Sequence, residues 1–239
     1  MWSGPRNIST AMMRSFENRA DTVVIDEPFY ACYLKATGLD HPGRDLILKE
    51  QASDWHSVAL DLLAPLPKGK SVFYQKHMCH HMRPEIGLDW IAGMRHAFLI
   101  RDPRHMLASY VKSRAEVSLK DLGLERQLEL FERVADETGK VPPVVDSADV
   151  LAAPHDKLEA LCRALGIPFD AAMLSWPKGR RDSDGIWAPW WYASVEQSTG
   201  FSAPDDSKRD AEFDALPPEV RRIADEGQPI YEKLSAHKL

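Results

Sequence analysis

Cysteine is scarce in this chain of 239 residues: Cys32, Cys79 and Cys162 are the only three, and no two are spaced CxxC. An odd, unpaired set excludes a disulfide framework and suggests a reducing compartment. There is no run of about 18 apolar residues, and the first residues lack the charged and apolar regions of a secretory leader. The default expectation is therefore a cytoplasmic protein with no membrane partner. Positive charge is in deficit, with 30 Lys and Arg against 36 Asp and Glu, a net charge of −6. That balance argues against nucleic acid, whose binding rests on basic surface. No GxxxxGK[ST] pattern occurs, so magnesium-dependent kinase chemistry loses support. Internal repeats and low-complexity tracts are absent too.

What remains is ordinary soluble composition, 44% hydrophobic and 28% charged, long enough for one domain spanning 1–239 with a well-buried core. Its most informative stretch comes first. Pro5, Arg6, Asn7, Ile8, Ser9 and Thr10 form a turn of small and polar residues that runs into a helical segment, Ala11–Asn18. The first turn of a helix has N–H groups with no intrahelical acceptor and carries partial positive charge, so such a turn attracts phosphate. Arg6 adds a full charge and a planar fork for oxyanions.

Further along, short apolar runs alternate with amphipathic segments. Thr22–Asp26, Ser71–Gln75, His96–Ile100 and Pro143–Ser147 read as buried strands, because they show no polar alternation. Glu27 follows the first of these, and Lys76, His77, Cys79, His80 and His81 follow the second. Helices are predicted over Leu46–Leu63, Ile86–Met94, Arg104–Ala115 with Asp102 as cap, Leu124–Glu137, Lys157–Leu165 and Pro218–Lys233. Strands alternating with helices mean an α/β fold, a central parallel sheet of about four to five strands with helices on both faces. Residues 176–202 hold Trp187, Trp190, Trp191 and Tyr192 in a segment too long for a plain connection, expected to fold over the sheet edge as a lid. Residues 203–239 add a charged extension and the last helix.

Three pieces taken together resemble the sulfotransferase family, whose donor is 3′-phosphoadenosine 5′-phosphosulfate (PAPS). Pro5–Thr10 is similar to that family's 5′-phosphosulfate loop. Arg101-Asp102-Pro103-Arg104, with Ser109 in the helix that follows, is similar to its 3′-phosphate site. Lys178-Gly179-Arg180-Arg181, followed by Asp184-Gly185 and Trp187, resembles the late basic-glycine loop that closes on the same phosphate. The resemblance covers roughly Met1 to Trp191, and its first two pieces carry most of the weight. It implies a P-loop-like architecture, PAPS as co-substrate, a small-molecule acceptor, and in-line attack of an acceptor hydroxyl or amine on sulfur with no metal required. A homodimer is left open.

Under that resemblance Arg6 stabilises the leaving oxygen, and two groups compete as base. His77 leaves the second strand where the family often places a catalytic histidine, with Lys76 directly beside it. Glu27 is the rival, since some glycan sulfotransferases use a glutamate after the strand that follows the phosphosulfate loop. His77 is the preferred base. A different class of function, a nucleotide-binding or regulatory module that keeps the loops without turnover, is the alternative. His77, Cys79 and His81 alternate like zinc ligands on an extended chain, but no Cys-rich partner supports that. The family carries a full strand before its phosphosulfate loop, where this sequence has Met1 and Trp2. The expectation is a natural start further upstream, tested by extending the chain and measuring thermal stability.

Overall fold

The computed structural model describes residues 1–114, 116–203 and 205–239. Its strands are Trp2–Ser3 (β1), Thr22–Asp26 (β2), Val72–Met78 (β3), Phe98–Ile100 (β4) and Val144–Asp146 (β5). All pair in parallel, in the order β2-β3-β1-β4-β5. The two residues of β1 are thus the middle of the sheet. Trp2 is in register with His77 on one side and Phe98 on the other. Backbone bonds of 2.9 Å from Trp2 N–H to the Ala97 carbonyl and from His77 N–H to the Met1 carbonyl hold them there.

Helices α1 (Ser9–Glu17), α2 (Tyr30–Thr37), α3 (Arg44–Glu50) and α4 (Trp55–Leu62) precede β3; α5 (Pro103–Tyr110), α6 (Leu119–Leu122) and α7 (Leu124–Thr138) separate β4 from β5. After β5 come α8 (Ser147–Ala152), α9 (Pro154–Ala164), α10 (Ala188–Trp191), α11 (Ala193–Gln197), α12 (Asp206–Asp214) and α13 (Pro218–Ser235). A parallel sheet needs cover on both faces, which is why its strands are apolar without alternation. One face packs Trp2, Phe98 and Phe29 against Leu62 of α4, Trp90, and Phe131 of α7. The other packs Leu99 and Val145 against Met12 and Phe16 of α1 and Leu161 of α9. Among the described residues, no helix is long and apolar enough to cross a membrane.

The parallel α/β expectation holds, and several boundaries move. The strand predicted over Ser71–Gln75 continues to Met78, which brings Lys76 and His77 inside it. The helix predicted over Leu46–Leu63 is two helices. Gln51 breaks it by turning its side chain inward, where Oε1 accepts from Ala31 N–H at 2.8 Å and Nε2 donates to the Glu27 carbonyl at 3.0 Å. Asp54 then caps a fresh start by accepting from Ser57 N–H. Ile86–Met94 yields one 3₁₀ turn, Asp89–Ile91. Asp102 caps α5 as expected and Pro103 opens it, but the helix stops at Tyr110; Ala115, the last residue of that expectation, lies outside the described residues.

Candidate active site

The turn between β1 and α1 is built tightly. A Cβ on Gly4 would lie 2.5 Å from Met106 Cε and 2.6 Å from the Leu122 carbonyl oxygen, so only glycine fits where the strand leaves the sheet. Arg6 and Ile8 then adopt left-handed backbone conformations, with φ of 61° and 58°. Each such non-glycine residue costs about 1–2 kcal/mol and persists only where its surroundings fix it. Here Asn7 Nδ2 donates to the Leu99 carbonyl at 3.2 Å, and the Arg101 guanidinium donates to the Arg6 carbonyl. The first intrahelical bond of α1 is Met12 N–H to the Ile8 carbonyl, so the N–H groups of Ser9, Thr10 and Ala11 open the helix without intrahelical acceptors.

Two guanidiniums converge on that opening. Arg6 Nε donates to Ser109 Oγ at 3.0 Å, tying the turn to α5, and Arg101 reaches the same turn from the end of β4. Among the described residues, no carboxylate pairs with either. Burial, with Arg209 and Arg6 close by, pulls Arg101 down to about 10, and burial lowers Arg6 as well. Two partly buried like charges held together without a counter-ion stabilise an anion placed between them.

At the neighbouring strand ends sits an ionic cluster. Lys76 Nζ donates to Asp26 Oδ1 at 2.8 Å, Glu27 Oε1 at 2.7 Å, the Tyr192 hydroxyl at 2.8 Å and Thr10 Oγ1 at 3.1 Å. Burial opposes its charge, but the two carboxylates outweigh it and keep the ammonium protonated well above the usual lysine value. Burial also pushes Glu27 above the usual carboxylate range; Lys76 opposes this and Asp26 adds to it. Glu27 itself has a φ of 39°. Its backbone is fixed by N–H donation to the Lys76 carbonyl and by the Gln51 amide on its own carbonyl. Only Glu27 Oε1 is engaged by Lys76; His81 Nδ1 lies 4.0 Å from Oε2, beyond hydrogen-bond distance.

Pro5, Arg6, Asn7, Ile8, Ser9, Thr10, Glu27, Lys76, Arg101 and Ser109 all line one cavity of about 490 Å³. His77 does not. Alternation along β3 sends it to the opposite face from Lys76, where its ring stacks on Trp2 at 4.6 Å and Nε2 meets Gln75 Oε1 at 3.1 Å. Burial drives its pKa well below the usual histidine value. Cys79 is in that same core, and among the described residues no group of three or more His, Cys, Asp or Glu is arranged to hold a metal ion.

Lys178, Gly179 and Arg180 also stay off the cavity wall. Gly179 is tied by its carbonyl to Arg14 of α1 and by its N–H to the Glu196 carbonyl, and Arg180 leans toward the Glu196 carboxylate. The segment they begin is anchored by Arg14 to Asp184, a fully buried ion pair at 2.7 Å, and by Tyr192, whose hydroxyl donates to Asp26 Oδ2 at 2.5 Å. Trp187, Ala188 and Tyr192 pack on Tyr30 and Tyr33 of α2, so the tryptophan-rich segment lies over the β2–β3 end of the sheet. Sequence reasoning did not single out Asp26, Tyr192 or Arg14 as site residues, and it weighed His81 only as a zinc ligand. The Asp26-Glu27-Pro28 ending of a buried strand is the signal that could have found the first.

The family model described as "Sulfotransferase domain" matches residues 1–221. Two Arabidopsis thaliana proteins, branched-chain-amino-acid aminotransferase-like proteins 1 and 2, are each 36% identical to this chain, over 99% and 85% of its length. The matches take up 41% and 36% of those proteins, so the chain spans about two fifths of their length. Among solved structures, the sulfotransferase domain from the curacin biosynthetic pathway is 16% identical, with a TM-score of 0.53 and coverage of 94% of this chain and 95% of that one. The sulfotransferase domain from the Synechococcus PCC 7002 olefin synthase is 15% identical, with a TM-score of 0.57 and coverage of 94% and 92%. These two share the fold. With the match running through the turn after β1, the converging arginines and the tryptophan-rich segment, the chain belongs to the sulfotransferase domain family.

Proposed function

We propose that this chain transfers a sulfuryl group from PAPS to a hydroxyl or amine of a small-molecule acceptor, with Glu27 as the base. The observation that carries it is the pairing, in one cavity, of two guanidiniums that lack counter-ions with a carboxylate held by a lysine. The donor is strongly anionic, and in a protein of net charge −6 the basic groups it needs are gathered here. Arg6 and the open N–H groups of Ser9, Thr10 and Ala11 suit the 5′-phosphosulfate; Arg101 and Ser109 suit the 3′-phosphate.

The chemistry is one displacement. As the acceptor oxygen or nitrogen bonds to sulfur, the sulfur–oxygen bond to the 5′-phosphate breaks and the acceptor's proton passes to Glu27 Oε2. Arg6 neutralises the leaving oxygen, and Lys76 holds Oε1 so that Oε2 faces the acceptor. A carboxylate raised by burial is a stronger base than an ordinary one, which suits it to this step. Glu27 is preferred to His77 because it lines the cavity. Lys178, Gly179 and Arg180 are assigned to anchoring the lid. The aminotransferase-like name of the Arabidopsis proteins describes chains of which this one matches two fifths.

Titration calorimetry with 3′-phosphoadenosine 5′-phosphate (PAP), with ADP as control, tests the donor site, since the two differ in the 3′-phosphate. PAP should bind at least about tenfold tighter, as one charge-assisted contact is worth about 1.5–3 kcal/mol, and Arg101→Ala should abolish the difference. Equal binding of the two nucleotides by the intact chain would sink the proposal.

A further inference from the structure

We infer that Arg209, carried on α12, is the third cation of the donor site and contacts the 3′-phosphate beside Arg101. This rests on the sulfuryl-transfer reading and deepens it. The family resemblance puts the loop Lys178-Gly179-Arg180 on that phosphate, but here the loop stays off the cavity wall and Arg180 leans toward the Glu196 carboxylate. Its place is taken from another part of the chain. Arg209 lines the cavity together with Arg6, Arg101 and Ser109, and it stands close enough to Arg101 for the two like charges to oppose each other.

The packing of α12 on α5 leaves this one charge for a ligand. Asp210 accepts from His105 Nε2 at 3.0 Å and lies 3.7 Å from the Arg104 guanidinium, which also sits over the Phe213 ring at 4.8 Å and 3.7 Å from Asp214. Glu212, the acid of α12 that reaches the cavity, is taken by Lys112 Nζ at 2.7 Å. Arg209 has, among the described residues, only the Asp206 carboxylate at 3.5 Å, and that side chain is 62% exposed. A pair so open to water holds the guanidinium weakly. Two arginines from separate elements, facing one cavity with no buried carboxylate on either, repel each other until an anion sits there. A phosphate monoester carries a charge of about −1.5 to −2 near pH 7 and three strong acceptor oxygens. That is enough for the forks of Arg101 and Arg209 together with the Ser109 hydroxyl. The helix that presents Arg209 has a defined start, since Asp205 caps it by accepting from Lys208 N–H at 3.0 Å.

Titration calorimetry with PAP and ADP, on the intact chain and its variants, reads this contact directly. Arg209→Ala should bind PAP about tenfold more weakly and ADP as the intact chain does, the unchanged ADP affinity also reporting a folded protein. Arg209→Lys should recover part of the loss, since it keeps the charge without the fork. Arg180→Ala should leave PAP affinity unchanged. Removing the cap with Asp205→Ala should weaken PAP binding in the intact chain and add nothing in Arg209→Ala, because α12 acts on the nucleotide through that one side chain. Undiminished PAP binding by Arg209→Ala, where the intact chain does prefer PAP to ADP, would overturn this inference and leave the donor reading standing. An equal loss for both nucleotides, or a loss on Arg180→Ala in place of Arg209→Ala, would do the same. An intact chain with no preference for PAP overturns the donor reading and this contact with it.

Discussion

The Tyr192 hydroxyl donates to Asp26 Oδ2 at 2.5 Å while accepting from Lys76 Nζ and from Trp187 Nε1, so one phenol joins the tryptophan-rich segment to the charged ends of two strands. Removing that oxygen leaves Asp26 Oδ2 with the Gly185 N–H alone. Tyr192→Phe should cost about 1–3 kcal/mol in urea unfolding, the penalty for an orphaned polar group beside a buried charge. It should also slow turnover by loosening Lys76. Unchanged stability would mean that the hydroxyl bond is not formed in solution.

Lys76→Met should be far more harmful, because Asp26 and Glu27 would be left buried with no cation between them. The expected loss is about 3–5 kcal/mol. Adding Asp26→Asn to that variant should recover part of it. A double variant that is merely the sum of the singles would show that the charges do not interact.

The pH profile distinguishes the two candidate bases. Glu27 must be ionised to accept a proton, and its pKa is raised, so turnover should fall as the pH drops through a value above the ordinary carboxylate range. Glu27→Gln should lower kcat about 10²- to 10⁴-fold and erase that limb. His77→Gln should keep the limb, since the imidazole is packed on Trp2. Loss of turnover in a folded His77→Gln protein, with Glu27→Gln active, would reverse the assignment.

Arg14 and Asp184 form a pair with no solvent exposure on either side chain, and Arg14 also holds the Gly179 carbonyl. Arg14→Met should destabilise the fold by about 3–5 kcal/mol by leaving Asp184 uncompensated. Limited proteolysis should then cut between residues 178 and 187 faster than elsewhere. Uniform cutting would show that Arg14 supports the whole fold rather than this segment alone.

The sheet was legible in the sequence because parallel strands buried on both faces must be apolar runs, and Thr22–Asp26 appears with its predicted bounds. The turn over Pro5–Thr10 was legible because small residues, a helix start and a fixed charge act locally, whereas Arg101 and Ser109 were named through the family resemblance, and both contact Arg6 in that turn. The choice between Lys76 and His77 turned on where β3 ends. A strand stopping at Gln75 leaves both side chains free to turn inward, whereas one running to Met78 sends them to opposite faces. The long helix predicted from Leu46 failed because Gln51 satisfies backbone groups distant in sequence, which periodicity cannot register. Tyr192 was hidden for the same reason: its partner Asp26 lies far away along the chain.

The two-residue β1 also governs how this molecule reaches its folded state. Trp2 is in register with residue 77 and residue 98 at once, so the middle of the sheet has the most sequence-distant pairings on its side of the fold. Loop closure over such separations is slow, and a strand of two residues has little affinity for either neighbour alone. Its insertion between β3 and β4 should therefore be a late, cooperative event. The phosphate-type turn follows β1 directly, so an anion at that turn would speed refolding only if insertion precedes the rate-limiting step, and would otherwise slow unfolding alone.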